Sequence, residues 1–282
     1  MEKVQVDRMK LILKMMVVLS SIVCVSCFSS KEAGPPLESD YYQLDGPKCE
    51  TAFIDLSRYA LKEMSGGGTG DRNLQKKALQ RVADHGIYSV FFLMLVLEEG
   101  NPYQRQVCKE ALLSLVKGQS EVLYKGKDKE EKRIVDNRRI LAGFFLNQLE
   151  REYDELSNRS WRSDRMKVEN KSPNPINVRR LYRLQLCELM GKVGSVEYVE
   201  RLLLAVKNVK YDSPVVKSQA YHAAGIIGGE NVVPTLIKLY QDEESKMVTM
   251  AIWETLQKLT GMDYPNYPAL WKEWGKRKGY DL

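Results

Sequence analysis

Apolar residues recur every three or four positions along most of this chain, and each run is closed by glycine, proline or a polar cluster. That period predicts helices. From Cys49 to Met64 the inward set is Phe53, Leu56, Tyr59 or Ala60, and Met64, ending at the sequence SGGGTG. Asp71 to His85 places Leu74, Ala78, Val82 and His85 on one face. Ile87 to Leu97 is apolar almost all round, the pattern of a helix enclosed by others. Asn101-Pro102 opens the next helix as N-cap and first-turn proline, with Gly118 as its C-cap. Lys129 to Leu156 reads as one long helix with Ile134, Leu141, Phe145, Leu149 and Tyr153 inward. The stretch 157–174 is polar, lacks a sustained period and reads as a loop between an N-terminal helical domain, 49–156, and a C-terminal one, 175–282.

The second half repeats itself. NVRRLYRLQLCELMG ends at Gly191, PVVKSQAYHAAGIIG at Gly228 and KMVTMAIWETLQKLTG at Gly261, so Val178, Val215 and Val248 stand in register. Second helices, SVEYVERLLLAVKN and ENVVPTLIKLYQDEE, separate these units. Paired helices at this period suggest a solenoid, in which each pair leaves an apolar side that its neighbour must cover. The unit Ser213-Pro214-Val215-Val216-Lys217, then Ala223-Ala224-Gly225-Ile226-Ile227-Gly228 and Val233-Pro234-Thr235-Leu236-Ile237-Lys238-Leu239, resembles a bacterial HEAT repeat. Leu259-Thr260-Gly261-Met262-Asp263, with Trp271 and Trp274 in a final helix, is similar to the finish of many such proteins. The resemblance covers about residues 175–280 and is weaker over 49–156. It implies an all-α, HEAT-like α-solenoid of stacked antiparallel helix pairs. A tetratricopeptide array would keep a regular period of about 34 residues, which the first half does not.

The N-terminus carries a different signal. Lys3, Arg8, Lys10 and Lys14 precede an apolar stretch from Met15 to Val25, broken only by Ser20 and Ser21. This is the layout of a secretory leader. It is short for a membrane span of roughly 20 residues, although an uncleaved anchor helix extended back to Leu11 is the alternative. Val25-Ser26-Cys27 resembles the end of a bacterial lipobox, with Cys24 standing where an aliphatic residue is usual. The resemblance implies a signal peptide over 1–26, cleavage between Ser26 and Cys27, and lipid, including palmitate-type acyl chains, on Cys27. A thiol is the side chain able to take a diacylglyceryl group as a thioether, and stable anchoring needs more than one acyl chain. Phe28, in place of an aspartate, favours the outer membrane of the cell envelope by the same resemblance. Residues 27–48, rich in Ser, Pro, Gly and charge, read as a tether. As a coil of about 20 residues it reaches on the order of 25 Å.

Composition narrows the function classes. The chain has 43 basic and 37 acidic residues, net +6, and the leader's four basic and two acidic side chains leave the rest near +4. Both signs are interspersed, as on solvated helix faces, which argues against a nucleic-acid surface. Cys49, Cys108 and Cys187 show no CxxC spacing, so neither a zinc site nor a disulfide framework is expected; Cys108 and Cys187 read as small core residues. The only histidines are His85, at a helix end, and His222, among Ala220, Ala223 and Ala224. Structural roles are preferred for both. SGGGTG lacks the Gly-Lys-Ser/Thr ending of a phosphate cradle. Trp271 and Trp274 cap the core or form a stacking platform; Trp161, among Arg159, Arg162 and Arg165, is a candidate anchor. No cofactor is expected.

The reading that follows is a membrane-tethered, non-enzymatic scaffold that binds a protein through the second helices of its repeats. Tyr198, Arg201, Lys207, Lys238 and Tyr240 are the expected partner surface. A small-molecule binder or lyase-type enzyme, like some HEAT-like relatives, and a structural envelope component are the alternatives.

Overall fold

The structure, a computed structural model, describes residues 42–125, 130–157, 175–207 and 212–282. The leader, Ser26, Cys27, the tether up to residue 41 and Trp161 lie outside the described residues. The chain is mostly helical, with one small antiparallel sheet. It divides into two compact units, the first ending at Leu141 and the second beginning at Ala142.

In the first unit a short strand, β1 (Tyr42–Gln43), leads into α1 (Gly46–Met64). The Asp45 carboxylate accepts from the Lys48 amide at 3.2 Å and Pro47 occupies the first turn, both ordinary helix-start chemistry. Ala52, Phe53, Leu56, Ala60 and Met64 are buried while Tyr59 faces solvent, so Ala60 holds the inward position. The glycines after Ser65 take positive φ and turn the chain back, and Asp71 caps α2 (Arg72–His85) by accepting from the Asn73 amide. Next, α3 (Val90–Glu99) is buried on nearly every side. An Asn101/Gln104 capping box opens α4 (Pro102–Ser114), and the Gln104 amide also donates to the Leu61 carbonyl at 2.9 Å. Helix α1 packs against α2, α3 and α4.

The segment expected as the start of a long helix is a strand. After α4, β2 (Gln119–Lys125) pairs with β3 (Glu130–Asp136), and β1 adds to the free side of β2. Burial in β3 alternates: Val135 is buried and Ile134 is 65% exposed, so Ile134 is not a core residue. The β-branched pair Ile134-Val135 suits a half-buried ribbon. Asn137 anchors its base, donating to the Leu115 carbonyl at 2.9 Å and accepting from Ser120 Oγ at 2.6 Å. Gly118, at φ 132°, opens the hairpin; α4 has already ended before Leu115. Helix α5 (Asn137–Ser157) starts only here. Leu141, Phe145, Leu149 and Tyr153 are buried as expected.

The second unit contains α5 from Ala142 onward, together with α6 (Pro175–Val193), α7 (Val199–Lys207), α8 (Pro214–Ile227), α9 (Val233–Asp242), α10 (Lys246–Thr260) and α11 (Pro268–Arg277). Helix α8 lies between α6 and α10, and α9 lies between α7 and α11. Small residues set the approach of the first helices. A Cβ on Gly191 would stand 3.1 Å from Ala223 Cα, and Thr255 Oγ1 donates to the Tyr221 carbonyl at 2.9 Å. Gly228 and Gly261 end their helices at φ 87° and 68°. Gly191 does not: α6 runs on to Val193, and this glycine serves a helix crossing.

The loop Gly261–Tyr267 folds over α10. Trp253 Nε1 donates to the Tyr264 carbonyl at 2.7 Å and the Gln257 amide donates to Asp263 at 2.9 Å. Trp271 and Trp274 are buried, in a chain of edge-to-face contacts from Tyr264 to Tyr280. They fill core space and offer no stacking platform.

Candidate interaction surface

The five residues expected on a partner face do not share one environment. Lys207 and Lys238 are exposed. Tyr198 is fully buried, with its hydroxyl beside Gly143. Tyr240 is buried too; its hydroxyl donates to Asn266 Oδ1, and burial pushes its pKa up to about 12. Arg201 holds the Glu150 carboxylate through Nε at 3.1 Å and a terminal nitrogen at 2.6 Å. Its guanidinium therefore ties α7 to α5. Tyr198 and Tyr240 are thus corrected from surface to core. Val233, Leu236, Ile237 and Tyr240 form the buried stripe of α9 at helical spacing, so Tyr240 belongs to it. Tyr198 sits in a 3₁₀ turn before α7, which shifts its phase from that of the helix.

A buried ionic cluster joins α5, α6 and the start of α8. The Arg183 guanidinium grips Asp212 in a bidentate pair, at 3.1 and 2.9 Å, and stands 3.5 Å from Glu152. Arg179 also bonds Glu152. Asp212 in turn accepts from the Ser213 amide at 2.7 Å, just ahead of Pro214. Such a cluster compensates its own desolvation only while it is complete. Burial also holds the Tyr153 phenol well above its usual pKa, so it stays neutral there. The sequence signal for this cluster was an arginine inside the apolar run LYRLQLCELM; its partner 29 residues away carried no local mark.

The histidines occupy two shallow depressions. His85 Nε2 is 2.9 Å from Asp55 Oδ2, at a hollow of about 350 Å³ lined by Pro47, Lys48, Thr51, Asp84 and Tyr88. His222 points outward, not into a tight helix contact: its side chain is 42% exposed while Ala220, Ala223 and Ala224 are buried. Its Nδ1 is 3.8 Å from Glu254, beside a hollow of about 360 Å³ formed with Gly225, Ile226, Thr255 and Lys258. The three described cysteines are buried as free thiols. Burial pushes the Cys49 pKa up to about 12 and those of Cys108 and Cys187 higher still, which suppresses the nucleophilic thiolate. Among the described residues no group of three His, Cys, Asp or Glu side chains is placed to hold a metal ion. No helix among them is long and apolar enough to cross a membrane.

No family model, curated protein or solved structure matches this chain.

Proposed function

We propose that this protein is a non-enzymatic binding scaffold, hung from a bacterial envelope membrane by lipid on Cys27 and presenting a HEAT-like solenoid to a protein partner. The packing order carries this reading: first helices lie against first helices and second against second, α6–α8–α10 and α7–α9–α11. Stacked pairs of this kind build extended surfaces larger than any one helix offers, the common basis of partner binding by repeat proteins. Lys207 and Lys238 remain as exposed cations of the second-helix side. The leader supplies the address, with the outer membrane favoured by Phe28.

Mass analysis of the protein isolated from bacterial membranes tests the anchor. A diacylated or triacylated Cys27 at the N-terminus is expected, and Cys27→Ala should leave an unacylated product. An intact Met1 on the native protein sinks the lipoprotein reading. For the scaffold, in-membrane cross-linking should yield a defined protein adduct. A protein that yields none, from any exposed position of the second unit, is no scaffold.

A further inference from the structure

The outer face of the first helices carries a pattern that fits itself. Glu188, His222 and Glu254 stand at matching places on α6, α8 and α10, 34 and 32 residues apart. One turn further along each helix come Lys192, Ile226 and Lys258, at the same intervals. The crossing contacts set these in rows. Gly191 meets Ala223 and Ile226, Gly225 meets Thr255, and His222 stands 3.8 Å from Glu254. All six side chains are at least partly accessible: Ile226 is 54% exposed and the Glu254 side chain 51%. Glu188 and Lys192 form a pair at 2.7 Å within α6.

The face thus has two parallel rows crossing the helices, two glutamates flanking His222 and two lysines flanking Ile226, with the hollow over Gly225 between them. Two such faces can be laid together about a two-fold axis. An axis running perpendicular to the rows sets Lys192 against Lys258 and is repulsive. An axis parallel to the rows, midway between them, sets every lysine against a glutamate and Ile226 against His222 of the other copy. Closed, isologous pairing demands this self-complementarity.

We propose that the protein pairs with a second copy of itself through this face, each Lys192 and Lys258 meeting Glu188 and Glu254 of the other molecule. The pairing does not depend on the scaffold reading or on lipid at Cys27. It leaves Lys207 and Lys238 outside the contact set. The contact is small and built on exposed charges, so the dimer is a transient one that salt weakens.

Sedimentation equilibrium of the full-length chain in density-matched detergent tests the proposal. The native chain should dimerise in the micromolar range, and added salt should shift it toward monomer. Glu188→Lys with Glu254→Lys, or Lys192→Glu with Lys258→Glu, should each weaken dimerisation at least about tenfold. An equimolar mixture of the two charge-reversed proteins should restore it, which also shows that both are folded. Should either reversed protein fail to fold, the neutral pair Lys192→Gln with Lys258→Gln replaces it and should weaken association. A native chain that stays monomeric, or variants as dimeric as the native protein, overturns the proposal. So does a mixture of folded, reversed proteins that remains monomeric. A photo-cross-linker at Ile226 that captures only a different protein assigns the face to a foreign partner and also overturns it.

Discussion

Gly191 and Ala223 touch across the crossing of α6 and α8, so close that a methyl group on Gly191 would lie 3.1 Å from Ala223 Cα. The opposing atom is backbone and cannot swing aside as a flexible side chain can. Gly191→Leu should therefore force the two helices apart and cost about 1–3 kcal/mol, the usual range for overpacking. Urea denaturation followed by circular dichroism measures it. An unchanged midpoint would mean that α6 and α8 do not meet there.

The Arg183–Asp212 pair makes a second demand. Asp212→Ala strands a buried guanidinium that, among the described residues, keeps only Glu152 at 3.5 Å as a near anion, and should cost about 3–5 kcal/mol. Replacing both partners with apolar residues, Arg183→Met with Asp212→Leu, should cost less than the single change, because no unpaired charge remains in that pair. A double variant that loses as much as Arg183→Met and Asp212→Leu made singly and added together would show that the pair is not coupled.

Alkaline pH should loosen the fold. Cys49, Cys108 and Cys187 are raised above 9.0, and Tyr153, Tyr221 and Tyr240 above 10.0, all chiefly by burial. In each case the native state keeps a proton that the unfolded chain has lost. Their contribution is intact below the unfolded pKa and fades as pH climbs from about 9 toward each folded value, by up to about 1.4 kcal/mol per pH unit per group. Urea midpoints at pH 7, 9 and 10 under reducing conditions should fall in that order. Cys108→Ala should flatten the first part of the decline.

The hairpin separates neighbouring residues. Ile134→Lys should change stability by less than about 0.5 kcal/mol because the side chain already faces water. Val135→Lys should cost several times more, since it drives a charge into a buried site. Thermal melts of the two variants make the comparison; a helical arrangement with Ile134 inward would reverse their order.

Much of the helical framework was legible because caps and period agreed. Asp71, Asn101 with Pro102, and Ser213 with Pro214 stand at helix starts, and Leu56, Val82, Phe145 and Leu149 are buried where a 3.6-residue repeat puts them. Glu130–Asp136 was not, because a charged heptad with two β-branched residues fits either period. What made it a strand was pairing with Gln119–Lys125, a partner that its own residues do not specify. On the surface side, Tyr240 could have been placed by continuing Val233, Leu236 and Ile237 by one turn. Tyr198 could not, since a 3₁₀ turn reset its phase. The Arg183–Asp212 contact depends on how α6 meets the start of α8, information that exists only in the tertiary arrangement.

The loop Gly261–Tyr267 occupies the side of α10 that a further packed helix would need. Trp253, Gln257 and Met250 are already engaged by it, through the Tyr264 carbonyl, Asp263 and Asn266. Anyone wishing to lengthen this molecule by grafting additional helices onto α10 must excise that strap and the tryptophan helix behind it. Simple fusion after Leu282 would leave the newcomer without a seat.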